Sequence, residues 1–137
     1  MPFKFEKFEV WKLAIEYIDL VYEIANGLPR GEDYNLKSQF IRAATSVALN
    51  IAEGSTGQTD AEQARFISMA IRSLMETVAC LHLIRRRNYL SNQDLLDRTY
   101  AESEKLAGKL HNFRKAIAPH SNWVREEKSN YTRDIED

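Results

Sequence analysis

A chain of 137 residues and 15.9 kDa has room for one domain with its own core and no need of disulfide or metal staples. Nineteen Lys and Arg against 20 Asp and Glu leave a net charge of −1. That balance excludes a general attraction to nucleic acid or anionic membrane, so any such binding must be local. Cys80 is the single cysteine, which excludes an intrachain disulfide and reads, inside a helical pattern, as a small buried hydrophobe.

The opening MPFKFEKFEVWK mixes charge with aromatics and has no continuous apolar stretch, so it is not a secretory signal. No run approaches the roughly 18 apolar residues that span a bilayer. A reducing cytoplasm and no membrane partner are expected. Residues 1–8 read as an extended arm whose Phe3, Phe5 and Phe8 lie on the body or on a neighbouring subunit. The first helix is expected from Glu9 to Asn26, ending before Gly27 with Pro29 beyond. Its seam is Val10, Ala14, Tyr17, Val21 and Ile24, at spacings of four and three. A second seam of Trp11, Ile15, Ile18, Tyr22 and Ala25 runs beside it. A lone small bundle needs only one stripe per helix, so the second is either covered by the N-terminal arm or buried against another copy.

After the loop GLPRGEDY, the second helix spans Leu36 to Gly54 with Phe40, Ala44, Val47 and Ile51 as its apolar stripe. Glu53-Gly54 marks its end. The third helix opens on Thr59-Asp60-Ala61-Glu62, a capping-box pattern in which Thr59 accepts from the Glu62 amide, and runs to Arg86 or Arg87. Phe66, Ala70, Leu74, Thr77, Leu81 and Ile84 form its seam, with Ile67, Ile71 and Val78 alongside. Ser91 is the expected cap of the fourth helix, with Asp94 in its first turn. Leu96, Thr99, Ser103, Leu106, Leu110, Phe113 and Ile117 make the cleanest heptad pattern, and Pro119 stops it. Residues 119–137 hold three basic and five acidic residues and read as a mostly flexible tail in which Trp123 can dock locally. Four helices with short connections predict an all-α fold, an up-down-up-down antiparallel four-helix bundle over residues 1–118.

Along the second helix Gln39, Arg42, Ser46, Asn50 and Glu53 recur at three, four, four and three, forming one polar row beside the apolar stripe. A solvated face is the ordinary fate of such a row. Its residues have fixed hydrogen-bond geometry where Lys and Glu are the usual solvent-facing choices, which favours ordered contacts within or between subunits. With the second and third helices antiparallel about the 54–59 linker, positions summing to about 114 lie side by side, and Arg42 with Glu76 is the expected ion pair. Chemistry finds little footing. No Glu is followed by a His three residues on, as di-iron bundles require. His82, His111 and His120 lie at scattered spacing, and Cys80 and His82 point in different directions. No phosphate loop, dinucleotide turn or zinc pattern occurs. An enzyme is not expected, and neither is a cofactor or metal. Arg85, Arg86 and Arg87 complement the carboxyl end of a helix dipole. With Tyr89 as a stacking group and Lys105 and Lys109 on the fourth helix, they are also the candidate contacts for RNA or DNA.

The sequence resembles the 23S rRNA intervening-sequence protein family, also called the four-helix bundle protein family. The matching residues are Leu36-Lys37-Ser38-Gln39, Arg42-Ala43-Ala44-Thr45-Ser46-Val47 and Asn50-Ile51-Ala52-Glu53-Gly54. Downstream, Phe66, Ala70, Ser73-Leu74 and Glu76 fit a second block, and Val10-Trp11-Lys12 with Ala14 fits the opening of the first helix. Arg72 departs from the pattern, many members having glycine there. The resemblance implies a small four-helix bundle that assembles as a homopentamer and whose biochemical role is unsettled. Some members are encoded within insertions in 23S ribosomal RNA genes. The similar accessory variability proteins of diversity-generating retroelements form basic pentameric barrels that bind nucleic acid and a reverse transcriptase. This chain is less basic: its −1 divides into −2 in the tail and +1 before it.

Overall fold

Each helix forms where an apolar stripe recurs at helical spacing, and each stops where that spacing breaks. In the computed structural model, which describes residues 3–57 and 59–118, the helices are α1 (Glu9–Ala25), α2 (Leu36–Gly54), α3 (Asp60–Arg86) and α4 (Gln93–Ile117). α1 packs on α2 and α4, and α3 packs on the same two. The four therefore stand at the corners of a square in up-down-up-down order, with α1 and α3 on one diagonal. The core between them holds Tyr17, Val21 and Ile24 of α1, Phe40, Val47 and Ile51 of α2, Ile67, Leu74 and Ile84 of α3, and Leu96, Leu106 and Leu110 of α4. Fully burying one such side chain contributes roughly 1.5–3 kcal/mol.

The ends of the helices follow local chemistry. Thr59 accepts the Glu62 amide at 3.0 Å, as the capping pattern predicts. For α4 the cap is Asn92, not Ser91: its Oδ1 accepts the Leu95 amide at 3.0 Å. Ser and Asn at adjacent positions are both good caps, and the chain enters the helix one residue later than expected. α1 ends at Ala25 with Asn26 as its cap. The expected extended arm is instead a short 3₁₀ turn, Lys4–Lys7. It places Phe5 edge-on to Trp11, centroids 4.6 Å apart, while Phe8 meets Phe113 at 5.0 Å. The arm thus covers one end of the second α1 seam, Ala25 at the other end is buried in the core, and Ile15 and Tyr22 stay exposed.

α3 is long and apolar enough to cross a membrane by length and composition alone, its best 18-residue window having mean hydropathy 1.4. Half of that window is buried inside the bundle, around Ile67, Leu74 and Ile84, so its apolarity is that of a core helix. The fourth-helix seam departs from the heptad at its end. Phe113 and Ile117 are half-buried, and the buried position is Arg114. The tail and Trp123 lie outside the described residues.

Candidate functional site

Among the described residues, the α2 polar row meets α3 at its middle. Asn50 Nδ2 donates to the Ser46 carbonyl at 2.9 Å and to Ser46 Oγ at 3.1 Å. Ser73 of α3 donates its hydroxyl to Ser46 Oγ at 3.0 Å. The row's ends behave differently. Gln39 reaches back only to Asn35 Oδ1, at 3.5 Å, and Gln39, Arg42 and Glu53 are exposed.

The expected Arg42–Glu76 ion pair does not form; both side chains are exposed, and the ion pairs among the described residues lie elsewhere. Register is not the reason. Ser46 beside Ser73 sums to 119 rather than 114, and Arg42 with Glu76 sums to 118, so the two stand level along the helices with both side chains turned to the surface. Amides of Ser55, Thr56 and Gly57 donate to carbonyls three residues back, so tight turns carry the chain past Gly54 and the reversal comes nearer Thr59. Gly54 itself has no left-handed backbone. It is small because α3 approaches there: a Cβ on Gly54 would sit 3.0 Å from Phe66 Cβ and 3.4 Å from the Gln63 carbonyl. At Arg72 the side chain is exposed and meets no such restriction.

The candidate nucleic-acid residues do not converge. Arg85 is occupied by α4, donating Nη1 to Gln93 Oε1 at 2.8 Å and Nη2 to Asp97 Oδ1 at 2.7 Å. Tyr89 is not a free stacking group, because its hydroxyl donates to Glu32 Oε2 at 2.6 Å. Lys109 pairs with Glu9 of α1 at 3.4 Å. Lys105 is exposed but lies eight residues along α4 from Asp97, roughly 12 Å at a helical rise. Arg86 and Arg87 remain exposed at the end of α3.

Two polar clusters escaped the sequence reading. Glu32 joins both connections at one end of the bundle. Besides Tyr89 it accepts Asn35 Nδ2 at 2.9 Å and the Leu36 amide at 3.4 Å. The bond from Tyr89, then that from Asn35, holds the Glu32 carboxyl below the usual carboxylate range, and the bond to Glu32 raises the Tyr89 phenol. At the other end Arg114, 5% exposed, donates Nη1 to Ser68 Oγ at 2.7 Å and its Nη2 lies 2.9 Å from His111 Nδ1. Nothing in a heptad pattern flags a buried arginine one residue from the seam. In the core, the Tyr17 hydroxyl lies 2.8 Å from Thr77 Oγ1, which donates to the Leu74 carbonyl at 2.6 Å. Burial pushes the Tyr17 phenol up to about 12 and the Cys80 thiol up to about 11. At neutral pH such a thiol is protonated and a poor nucleophile.

One uncovered feature is apolar. Lys109 against Glu9 places α4 on one flank of α1. At about 100° per residue the second seam lies on the other flank, towards α2. Ile15 and Tyr22 are 40% and 46% exposed, and Leu49 of α2 is 57% exposed. Ile18, Ile41 and Trp11 are partly buried and packed against the core. Ile15 and Tyr22 thus leave an apolar strip open on the outer side of α1.

The family model for the 23S rRNA-intervening sequence protein matches residues 6–112. The chain belongs to this family. It is also similar in fold to the crystal structure of a protein of unknown function from the S23 ribosomal protein family of Bacteroides thetaiotaomicron. That similarity has a TM-score of 0.70 and 20% identity over 77% of this chain and 98% of that one. No curated protein matches the chain in sequence. The Arg-Ala-Ala and Asn-Ile-Ala-Glu-Gly blocks that carry the resemblance lie on α2, where Ser46 meets Ser73 of α3, Asn50 bonds to Ser46 and Gly54 allows the close approach.

Proposed function

We propose that this chain is a non-enzymatic, homo-oligomeric helical scaffold of the cytoplasm, working through contacts with protein or RNA. Five copies is the number that the family resemblance implies. The observation that carries the reading is the exposed seam of α1, with Ile15 and Tyr22 40% and 46% exposed on a helix whose opposite face is already fully used in the core. A monomer gains nothing from a second apolar stripe, whereas an assembly buries it, at about 25 cal/mol per Å² removed from water. Ser46 acts as a positioning residue that holds α2 against α3, and Asn50 holds the Ser46 hydroxyl in place. Sedimentation velocity at micromolar concentration tests the assembly: a single species several times 15.9 kDa is expected, and a stable monomer overturns it.

RNA binding is the second reading, favoured by Arg86 and Arg87, which stand exposed at the end of α3. Around a ring these pairs repeat and their weak phosphate contacts add. Binding to structured RNA is expected to weaken steeply with salt and to be lost on changing both arginines to Ala. No binding at low salt overturns it.

A further inference from the structure

Two apolar stripes face outward from this bundle, and they differ in charge. One is the α1 seam, bordered by exposed Glu16, Asp19 and Glu23 with Lys12. The other is on α3, where Met75, Ala79 and Leu83 recur every four residues; Met75 and Leu83 are 47% and 53% exposed. Exposed Arg72 and Arg86 flank the two ends of that stripe, with Glu76 beside it. One face is apolar with an acidic rim, the other apolar with a basic rim.

We propose that the α3 face of one copy receives the α1 face of the next, so that the chain assembles head to tail through two different surfaces. The proposal rests on the oligomeric reading above and names the surfaces that build it. A single chain cannot satisfy both stripes itself, because α1 and α3 occupy opposite corners of the square and meet through core groups such as Tyr17 and Thr77, while the stripes lie on their exposed sides. Pairing α1 with α1 about a two-fold axis sets Glu16, Asp19 and Glu23 against their own copies. Pairing α3 with α3 does the same to Arg72 and Arg86. Like charges across an interface disfavour both, and the unlike pairing joins acid to base around an apolar centre. A contact between two different patches closes into a ring when the rotation between copies allows it.

Cross-linking tests this directly. Chains carrying Ile15→Cys and chains carrying Ala79→Cys, with tags of different size, are co-expressed and treated with a bismaleimide whose arm spans about one helical turn. Cys80 is 3% exposed, and the wild-type chain serves as its control. Met75→Cys replaces Ala79→Cys if the latter misfolds. The expected result is a cross-link between the two tagged forms, none in either single variant alone, and a ladder of linked chains from the double variant. Ile15→Cys linking to itself, or no mixed product in protein of oligomeric mass, overturns the head-to-tail pairing and leaves the assembly standing. A monomeric mass overturns both.

Discussion

Ser73 of α3 donates its hydroxyl to Ser46 of α2 across 3.0 Å, and Asn50 donates to the same oxygen at 3.1 Å. The hydroxyl of Ser46 thereby ties two turns of α2 to α3. A neutral hydrogen bond of this kind contributes about 1 kcal/mol. Ser73→Ala is expected to lower unfolding free energy by about that much, and Ser46→Ala by somewhat more, since it removes the acceptor of two bonds while Asn50 keeps its bond to the Ser46 carbonyl. In the double variant the losses should fall short of the sum by about 0.5 kcal/mol or more. Denaturant unfolding of the three variants measures this, and strict additivity would show that the contact is incidental.

Tyr17 is the one core aromatic with a hydroxyl partner on a facing helix. Tyr17→Phe is expected to cost about 1 kcal/mol at neutral pH. The sign on the alkaline side follows from the raised phenol. The folded pKa, about 12, exceeds the ordinary value of 10.0, so the stabilisation is complete below pH 10 and is lost as pH rises through 12. Stability of the wild type should fall more steeply than that of Tyr17→Phe across that window, measured by denaturant unfolding at each pH.

Glu32 shows the opposite sign. Its folded pKa is lowered, first by the bond from Tyr89, so its contribution is present above the ordinary carboxylate range and is lost as pH falls through the folded value. Tyr89→Phe should move the Glu32 carboxyl midpoint upward in an NMR titration. An unchanged midpoint would mean that the phenol does not hold the carboxylate in solution.

At Gly54 two effects compete. Alanine is the better helix former by about 1 kcal/mol, but its Cβ would meet Phe66 Cβ at 3.0 Å. Overpacking of that kind costs roughly 1–3 kcal/mol, and Phe66 Cβ cannot turn away without moving α3. Gly54→Ala is therefore expected to destabilise, and a raised melting temperature would contradict the close approach.

Much of the bundle could be read from spacing alone. Phe40, Ala44, Val47 and Ile51 are buried as their intervals predict, and Thr59 caps as its neighbours predict. What escaped depends on three-dimensional register. Sequence places Ser46 and Asn50 on one flank of α2 but does not say which α3 residue lies opposite, because three linker turns shift the pairing by five. Arg114 and Glu32 escaped for a related reason. Each is a charged residue whose burial or bonding depends on partners from other parts of the chain, Ser68 for one and Tyr89 for the other. The second seam of α1 was visible from the start; what the structure adds is that the arm covers Trp11 and leaves Ile15 and Tyr22 open.

Assembly through that open seam is the centre of this account, and the molar mass in solution tests it most directly. Light scattering on the eluting protein, for the wild type and for Ile15→Glu with Tyr22→Glu, gives the answer without labels. The wild type is expected at a fixed multiple of 15.9 kDa, and the double variant, still helical by circular dichroism, at the mass of one chain or with association weakened at least tenfold. A wild type that elutes at 15.9 kDa at micromolar concentration, or a double variant that keeps the wild-type mass, would contradict it.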